Sequence, residues 1–578
     1  MSSRRSLLQF IAASIVTGAC GPSRPPPKGA KPDNGQKKSP TRRGRGPADL
    51  IVHGRILTMD PDAREVEAVA ITDGTITALG PAAKLLNHLK GEATQVLDLE
   101  GGIAVAGLTD AHAHLLGLGR DLEIIDLRGA NSEEEVVRRV REGAPTGRFI
   151  LGRGWDQNIW SKGQGAMPDN KLLSAAFPER PVWLIRIDGH AGWANKAALK
   201  EAGIGADTPD PEGGEILRAS DGAATGVLVD NAMSMMPTPS ISAADLRRRL
   251  LAAQQHALAR GLTGVHEMGV SSLADGVFRE LAKSGELQMR IHGYADSDWL
   301  AGALGERDPD PIRAEARYLL AGVKLYVDGA LGSRGAALQA PYSDRQGHRG
   351  TLIQSPERLR ELCDRALARG WQIASHAIGD RANHLILETY AAALAALPPG
   401  TGPGSQRRLR IEHAQIVDPA DIPRFRELGL VASMQPTHAT SDMPWVEDRI
   451  GAARLAGAYA WRRFLDEGVH MALGSDFPVE EVAPTLGLYA AISRQDADGK
   501  PPKGWLGEQR LTLSEALAGF SRGAAFAAHR EEHLGTLRRG AQADLTCFVD
   551  DITTLEAVEL RKAAIRATII AGNIVWQA

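Results

Sequence analysis

Cysteine is almost absent from this chain, with three in 578 residues. Cys363 and Cys547 each stand in a pattern typical of a buried element, a helix for the first and a strand for the second. Such a pair offers neither the spacing of a disulfide framework nor that of a cysteine-rich zinc site. We therefore predict two free thiols in the core.

Aromatic residues and excess charge are also scarce. Phe, Trp and Tyr make up 5% of the chain, and the net charge is −3. With few rings for base stacking and no basic excess, we expect no nucleic-acid partner. The remaining composition, 43% hydrophobic and 24% charged, is that of a globular protein. A chain of this length predicts a barrel with a second module, or several domains.

No apolar run predicts a permanent membrane-spanning helix. The N-terminal run, residues 7–16, is too short and too interrupted to span a bilayer. It follows two consecutive arginines and ends in Thr17-Gly18-Ala19-Cys20, which resembles a twin-arginine export signal with a lipoprotein cleavage box. We predict a signal over residues 1–20 with lipid on Cys20. A simple cleaved signal that discards Cys20 stays open.

The segment that follows, residues 21–47, is rich in proline and in positive charge. It contains seven prolines and eight Lys or Arg, with Asp33 as its single acid. Such a segment cannot bury enough apolar surface to fold, which predicts an extended, solvated tether. Together with the signal, it predicts an exported bacterial lipoprotein of the cell envelope, on the periplasmic or surface side. The lipid is then its only membrane contact.

Short β patterns dominate both ends of the remaining chain. Residues 48–106 carry β-branched runs, with the tight hairpin signal Asp73-Gly74 between two of them. Residues 526–578 have the same texture. Neither segment is long enough for a good core of its own, so we predict one small β-sandwich composed of both.

Between them, residues 107–525 alternate short apolar strands with amphipathic helices, which predicts a parallel α/β sheet or barrel. Nine strand candidates are one too many for a (β/α)8 TIM barrel. The strand ending at His190 lies in a Gly/Pro-rich stretch, residues 131–240, which we interpret as an inserted α/β subdomain. The other eight candidates end at His114, Glu267, Tyr294, Asp328, His376, His413, Gln435 and Asp476.

The first of these strands carries two histidines one residue apart. His112 and His114 follow an apolar stretch, and strand alternation places them on one face together with Asp110, roughly 6–7 Å apart. Imidazole is the commonest protein ligand for zinc and similar metals. Six of the eight strands carry a metal-binding residue at or near the end where barrels place catalytic groups, which predicts a metal site. These residues are His112 with His114, His266 with Glu267, Lys324, His376, His413 and Asp476.

Several runs in this order resemble the amidohydrolase superfamily, and within it the amidohydrolase family 3 group that includes N-substituted formamide deformylases. The resemblance extends from about residue 48 to the C-terminus. The matching runs are Thr109–His114, Asp188–Asn195, Val323–Arg334, Ser375–Asp380, Ile411–Gln415 and Leu473–Val479.

The resemblance implies two divalent metal ions. It assigns His112, His114 and Asp476 to one ion and His376 and His413 to the other. Zinc fits imidazole and carboxylate ligation best, although manganese, cobalt or iron would fit the same ligands. A single ion held by the histidines and Asp476 stays open.

Lys324 would lie between the two ions as a CO2-derived carbamate, as in related enzymes. Its same-face neighbours Tyr326 and Asp328 indicate that it points into the barrel, where burial lowers the pKa of an amine and favours the neutral form that reacts with CO2. The alternative is a cationic lysine that pairs with Asp328 or Asp476.

Asp476 is also the candidate catalytic residue. A carboxylate beside an activated water can accept its proton and pass it to the departing amine. Taken alone, the run Gly474–Pro478 would equally suit a helix cap.

Weaker candidates surround this set. His190, Trp155 and His266 are candidate substrate-binding residues, with a structural role as the alternative for each. Trp160 is interpreted as lining a pocket or packing in a core, and Glu267 as supporting the metal ligands from behind. We also predict that Arg334 and Asp380 form an ion pair or support a loop, and that Glu412 lies outside the barrel.

The predicted function is that of a metal-dependent hydrolase that cleaves a non-peptide C–N bond, of amide or formamide type, in a small molecule. A ring deaminase is the first alternative, although it usually lacks a lysine ligand. The second is a surface lipoprotein that binds a ligand without turnover, which the intact ligand set argues against. The sequence leaves a homo-oligomer open.

Overall fold

The computed structural model describes residues 46–145, 147–160, 165–237, 239–398 and 404–578. The predicted signal over residues 1–20, the lipid site at Cys20 and nearly all of the tether over residues 21–47 lie outside these ranges. Within them, no helix combines the length and the hydropathy that a membrane span requires.

Strands from both ends of the chain form one seven-stranded sheet, in the order β21-β20-β19-β4-β1-β2-β3. Its N-terminal and C-terminal strands share one apolar core. Asp73 and Gly74 form the predicted hairpin with φ of 48° and 72°, the left-handed values that such two-residue turns require. The strands are β1 (Leu50–Leu57), β2 (Glu65–Thr72), β3 (Thr75–Gly80), β4 (Gln95–Ala106), β19 (Leu545–Phe548), β20 (Ile565–Ile570) and β21 (Asn573–Gln577).

The second sheet is the predicted eight-stranded parallel barrel. The last strand returns to the first, where the backbone N–H of Asp476 donates to the carbonyl of His112 and that of His114 to Phe477, both at 2.8 Å. The strands are β5 (Leu108–Ala113), β12 (Leu262–Val270), β13 (Arg290–Ala295), β14 (Tyr318–Tyr326), β15 (Gln372–Ala377), β16 (Arg410–His413), β17 (Val431–Met434) and β18 (His470–Leu473).

The third sheet belongs to the inserted subdomain, between β5 and β12 in sequence. Its order is β10-β11-β9-β8-β7-β6, and it mixes parallel and antiparallel pairs. Tryptophans fill its core. The strands are β6 (Ile125–Asp126), β7 (Ile150–Trp155), β8 (Val182–Arg186), β9 (Ala191–Ala194), β10 (Gly214–Arg218) and β11 (Ala224–Asp230).

Helices cover the barrel and the two smaller sheets. The helix over Pro356–Ala368 shows why they form: Ser355 caps it, a proline begins it, and its apolar stripe buries Cys363 as a free thiol. Cys547 is likewise a free buried thiol, so both thiol predictions are confirmed. The α-helices are α1 (Ala82–Leu89), α2 (Leu115–Asp121), α3 (Glu133–Gly143), α4 (Lys171–Ala176), α5 (Lys196–Glu201), α6 (Ala243–Leu258), α7 (Ser272–Ser284), α8 (Ser297–Ala301), α9 (Pro356–Ala368), α10 (Asp380–Ala395), α11 (Ile422–Glu427), α12 (Pro436–Asp442), α13 (Val446–Ile450), α14 (Trp461–Asp466), α15 (Pro484–Ser493), α16 (Leu513–Ala518), α17 (Ala524–Ala527) and α18 (Ala557–Leu560).

Candidate metal centre

The side chains predicted to bind metal meet at the C-terminal end of the barrel. They line one cavity of about 380 Å³, and all except His114 are almost completely buried. The barrel brings together residues more than 360 positions apart in the chain, as expected where parallel strands end at one rim. The six are His112, His114, Lys324, His376, His413 and Asp476.

The Asp476 carboxylate occupies the centre of this group. Its Oδ1 atom lies 3.1 Å from Nε2 of His114 and 3.5 Å from Nε2 of His112. This oxygen is buried and has no hydrogen-bond donor among the described residues.

The protonation of the histidines explains why this carboxylate lacks a donor. The Nδ1 atom of His112 faces Glu412 Oε2 at 2.5 Å, that of His114 faces the Met268 carbonyl at 3.0 Å, and that of His413 faces Gln435 Oε1 at 2.8 Å. Each partner is an acceptor, so each Nδ1 carries the proton and each Nε2 keeps its lone pair.

Burial keeps the His112 and His413 rings neutral. It lowers the pKa of His112 to about 4 and that of His413 well below the usual value. Unprotonated nitrogens therefore converge on an ionised oxygen, an arrangement of acceptors that a divalent cation satisfies. The residues present fit the metal that the resemblance implies.

The backbone at the rim departs from regular strand geometry. His413 has φ of 74° and Asp476 has φ of 62°, values that cost side chains energy and that cluster at functional sites. The turn at His413 breaks the strand alternation. Glu412 therefore does not face outwards, and its predicted place outside the barrel is wrong: it is completely buried inside, against His112.

Arg410 lies beneath the rim and holds Glu412 in place. Burial raises the pKa of the Glu412 carboxyl, but the Arg410 charge and the His112 hydrogen bond hold it below its usual range. His266 receives a hydrogen bond from the same arginine, so it supports the barrel interior and is not the predicted substrate-binding residue. Arg410 donates at 2.6–2.9 Å to Glu412, His266 Nδ1, Tyr294 Oη, Ser433 Oγ and the Ala111 carbonyl.

Glu412→Gln is expected to weaken divalent-metal affinity by about 10- to 100-fold, because the carboxylate orients His112 and raises its basicity. Isothermal titration of the metal-free protein measures this change. Glu388→Gln, at an exposed ion pair with Arg424, is the matched control. Equal affinities for the two variants would show that Glu412 does not tune the centre.

Lys324 lies in the wall of the cavity, with its Nζ atom 3.3 Å from Nε2 of His112. Burial lowers the pKa of this amine to about 8, against the opposing charges of Glu412 and Asp476. Asp328 is not its partner, because its carboxylate accepts backbone N–H groups of Ala337, Ile378 and Gly379 at 2.8–3.0 Å.

His190 reaches the same cavity from the insertion. Its Nδ1 atom lies 2.7 Å from Asp230 Oδ1, and its ring centroid is 5.1 Å from that of His376. Trp155 does not reach it. The ring of Trp155 is completely buried in the core of the insertion, with its N–H on the Leu184 carbonyl, so its predicted contact with substrate is wrong.

The remaining candidates support the rim. Glu267 accepts the backbone N–H groups of Leu115 and Leu116 at the start of α2, at 2.5 and 3.1 Å. Arg334 and Asp380 do not pair with each other: Arg334 binds Asp344, and Asp380 accepts the backbone N–H of Gln339. Trp160 packs in the core of the insertion.

His438 and Glu480 belong to the site but are not among the residues predicted from the sequence. His438 lies on α12, with Nε2 at 3.3 Å from Asp476 Oδ2 and Nδ1 at 3.0 Å from Glu480 Oε1. The available signal was the run Gln435-Pro436-Thr437-His438, directly after a barrel strand. The α12–α13 segment and the insertion also face each other across a second cavity at the centre, lined by Asp188, His190, His438, Asp442 and Trp445.

The model of the amidohydrolase family matches residues 95–576. The chain belongs to the amidohydrolase family. It is 31% identical to the putative amidohydrolase YtcJ of Bacillus subtilis over 91% of this chain and 98% of that protein. It is 28% identical to the N-substituted formamide deformylase of Arthrobacter pascens, again over 91% and 98% of the two chains.

A solved structure agrees with the family assignment. An uncharacterized metal-dependent hydrolase from Pyrococcus horikoshii superposes with a TM-score of 0.69 at 27% identity, over 88% of this chain and 99% of that one. Family membership and this neighbour support hydrolase activity with a divalent metal, at a site where histidine and aspartate groups could hold one.

Proposed function

We propose that this amidohydrolase-family chain hydrolyses a non-peptide C–N bond of amide or formamide type in a small molecule. The observation that carries the proposal is the buried Asp476 oxygen, which lacks a donor and faces the unprotonated Nε2 atoms of His112 and His114. A formamide substrate is also supported by the name of the Arthrobacter relative.

The proposed metal ligands are those predicted from the sequence, His112, His114, Lys324, His376, His413 and Asp476. A divalent cation, zinc first and manganese, cobalt or iron as alternatives, would supply Lewis acidity that makes water a better nucleophile and polarises a carbonyl group. Two ions per chain are proposed.

Asp476 is the proposed proton carrier. Its carboxylate lines both cavities of the site, and we propose that it accepts a proton from the attacking water and passes that proton to the leaving nitrogen. His190, whose Nδ1 atom faces Asp230 Oδ1, is the proposed hydrogen-bonding partner of the substrate.

Lys324 is the proposed carbamate. Growth or incubation with isotopically labelled bicarbonate is expected to give a carbamate carbon resonance in the folded protein that the Lys324→Met variant lacks. The buried amine reacts in its neutral form, which its lowered pKa populates. A spectrum without that resonance, in protein that retains its metal, would leave Lys324 as an unmodified residue.

The proposed reaction is tested by incubating the metal-loaded protein with a panel of N-formyl and N-acyl amines and measuring the released acid and amine. Release of both in equal amounts from at least one amide is the expected result. Release of ammonia from ring amines without acid would indicate a deaminase. Tight binding of an amide with no turnover would indicate a ligand-binding protein.

A further inference from the structure

A second group of ligand atoms lies beside the first. The side chains of His413, His438 and Asp476 each place a ligand atom within 4.8 Å of the others, and all three are buried. The first group, formed by His112, His114 and Asp476, has the same compactness. Asp476 belongs to both.

The two oxygens of Asp476 divide between these groups. Oδ1 faces His112 and His114, whereas Oδ2 faces His438 Nε2 at 3.3 Å. A carboxylate with one oxygen toward each of two sets of imidazoles has the shape of a bridging ligand.

We propose that His438 is a metal ligand, and that it forms a second divalent-cation subsite with His413 and Asp476. The inference rests on the metal-dependent function proposed above, and it adds a residue from the segment after β17 to the expected ligands. The ligand class is a divalent cation that accepts imidazole and carboxylate donors, such as zinc or cobalt.

The surroundings of His438 place a carboxylate on each ring nitrogen. Its Nδ1 atom faces Glu480 Oε1 at 3.0 Å and its Nε2 atom faces Asp476 Oδ2 at 3.3 Å. Although burial lowers the pKa of His438, these two carboxylates raise it to about 10, so both nitrogens carry protons when no cation is bound. A divalent cation at Nε2 would replace one of those protons, and Glu480 would then support the ring through Nδ1 as Glu412 supports His112.

His376 is held in the opposite tautomer. Its Nε2 atom faces the Gly329 carbonyl at 3.5 Å and Asp328 Oδ1 at 3.6 Å, two acceptors that place the ring proton on Nε2 and leave the lone pair on Nδ1. His376 therefore remains among the expected ligands, and His438 is an addition to them, because its ligand atom lies within 4.8 Å of those of His413 and Asp476.

One short segment of the chain, from the end of β17 into α12, fixes the positions of both His413 and His438. Gln435, at the end of β17, accepts the Nδ1 proton of His413, and α12 begins at the next residue, Pro436. His438 lies in the first turn of α12, which packs on α15. A rigid helix that follows directly from a barrel strand holds a ligand more precisely than a loop would.

The test compares His438→Asn with His384→Asn, a control at a half-exposed histidine that pairs with Asp421. Each protein is loaded with Co2+, dialysed against a weak chelator, and measured for metal content and visible absorption. We expect the wild type and the control to retain two ions. We expect His438→Asn to retain one ion, with a changed absorption spectrum, because the second subsite loses a ligand.

Glu480→Gln provides a second variant that leaves the imidazole in place. It is expected to lower the affinity for the more loosely held ion by about 10- to 100-fold, the usual effect of losing a supporting carboxylate. The affinity for the other ion is expected to stay the same. This result would support the proposal even if His438→Asn failed to fold.

The proposal is overturned if His438→Asn retains both ions and its cobalt spectrum is unchanged. This holds even if the variant loses activity, because His438 would then act on the substrate or on proton transfer and not on the metal. The same conclusion follows if the wild type holds a single ion whose affinity neither variant changes. Either result leaves the proposed hydrolase function intact, whereas a metal-free, active wild type would contradict that function.

Discussion

Asp476→Asn is expected to lower kcat/KM by about 10³-fold or more, in the range of a lost proton-transfer group combined with lost charge stabilisation. The amide cannot accept a proton from water, and it removes the ionised oxygen that faces His112 and His114. The amide keeps one neutral oxygen that can act as a metal ligand. Most of the metal is therefore expected to remain bound in buffer that contains the free ion.

Steady-state kinetics with the best amide substrate, together with metal analysis of the same samples, measures both expectations. Asp466→Asn, at an exposed residue on α14, is the control for a generic loss of one carboxylate. Asp476→Asn with near wild-type turnover would refute the role of Asp476 as proton carrier. Loss of turnover together with all the metal would reduce its role to that of a ligand.

Arg410→Met is expected to lower the free energy of unfolding by about 3–5 kcal/mol, because it leaves the Glu412 carboxylate buried without its cation. Both side chains are completely buried, and the guanidinium also donates to His266, Tyr294 and Ser433. Urea unfolding of metal-free protein measures the change without a contribution from bound ions.

The double variant Arg410→Met/Glu412→Met separates stability from metal binding. Removing both charges is expected to recover much of the lost stability. It is not expected to recover metal affinity, because His112 loses the acceptor of its Nδ1 proton. A loss of less than about 1 kcal/mol in the single variant would show that Glu412 is adequately solvated or protonated without Arg410.

The barrel and most of the rim could be predicted because they depend on local patterns. Apolar strands that end in His, Lys or Asp identify which residues reach the same edge, since parallel strands of a barrel place those ends together. Lys324 and His376 were accessible in this way, and the same-face spacing of Lys324 and Tyr326 correctly indicated the interior.

Glu412 could not be placed by strand alternation, because the left-handed backbone at His413 interrupts it. Whether a residue such as His413 adopts that conformation depends on neighbours distant in sequence. Trp155 and His266 were predicted to contact substrate but pack away from the cavity, since the choice between core and pocket is made by the surrounding elements.

The orientation of His438 could not be predicted for a related reason. The residue lies on a helix whose direction is set by its packing on α15, so nothing in the periodicity of the segment shows that Nε2 points toward Asp476.

The metal content of the purified chain is the most direct test of the central claim, that this rim holds a divalent cation. Elemental analysis is expected to find at least one divalent ion per chain in the wild type and in His384→Asn, and little in His112→Asn/His114→Asn. An amide-cleaving wild type without metal, or a double histidine variant with full metal content, would contradict the claim.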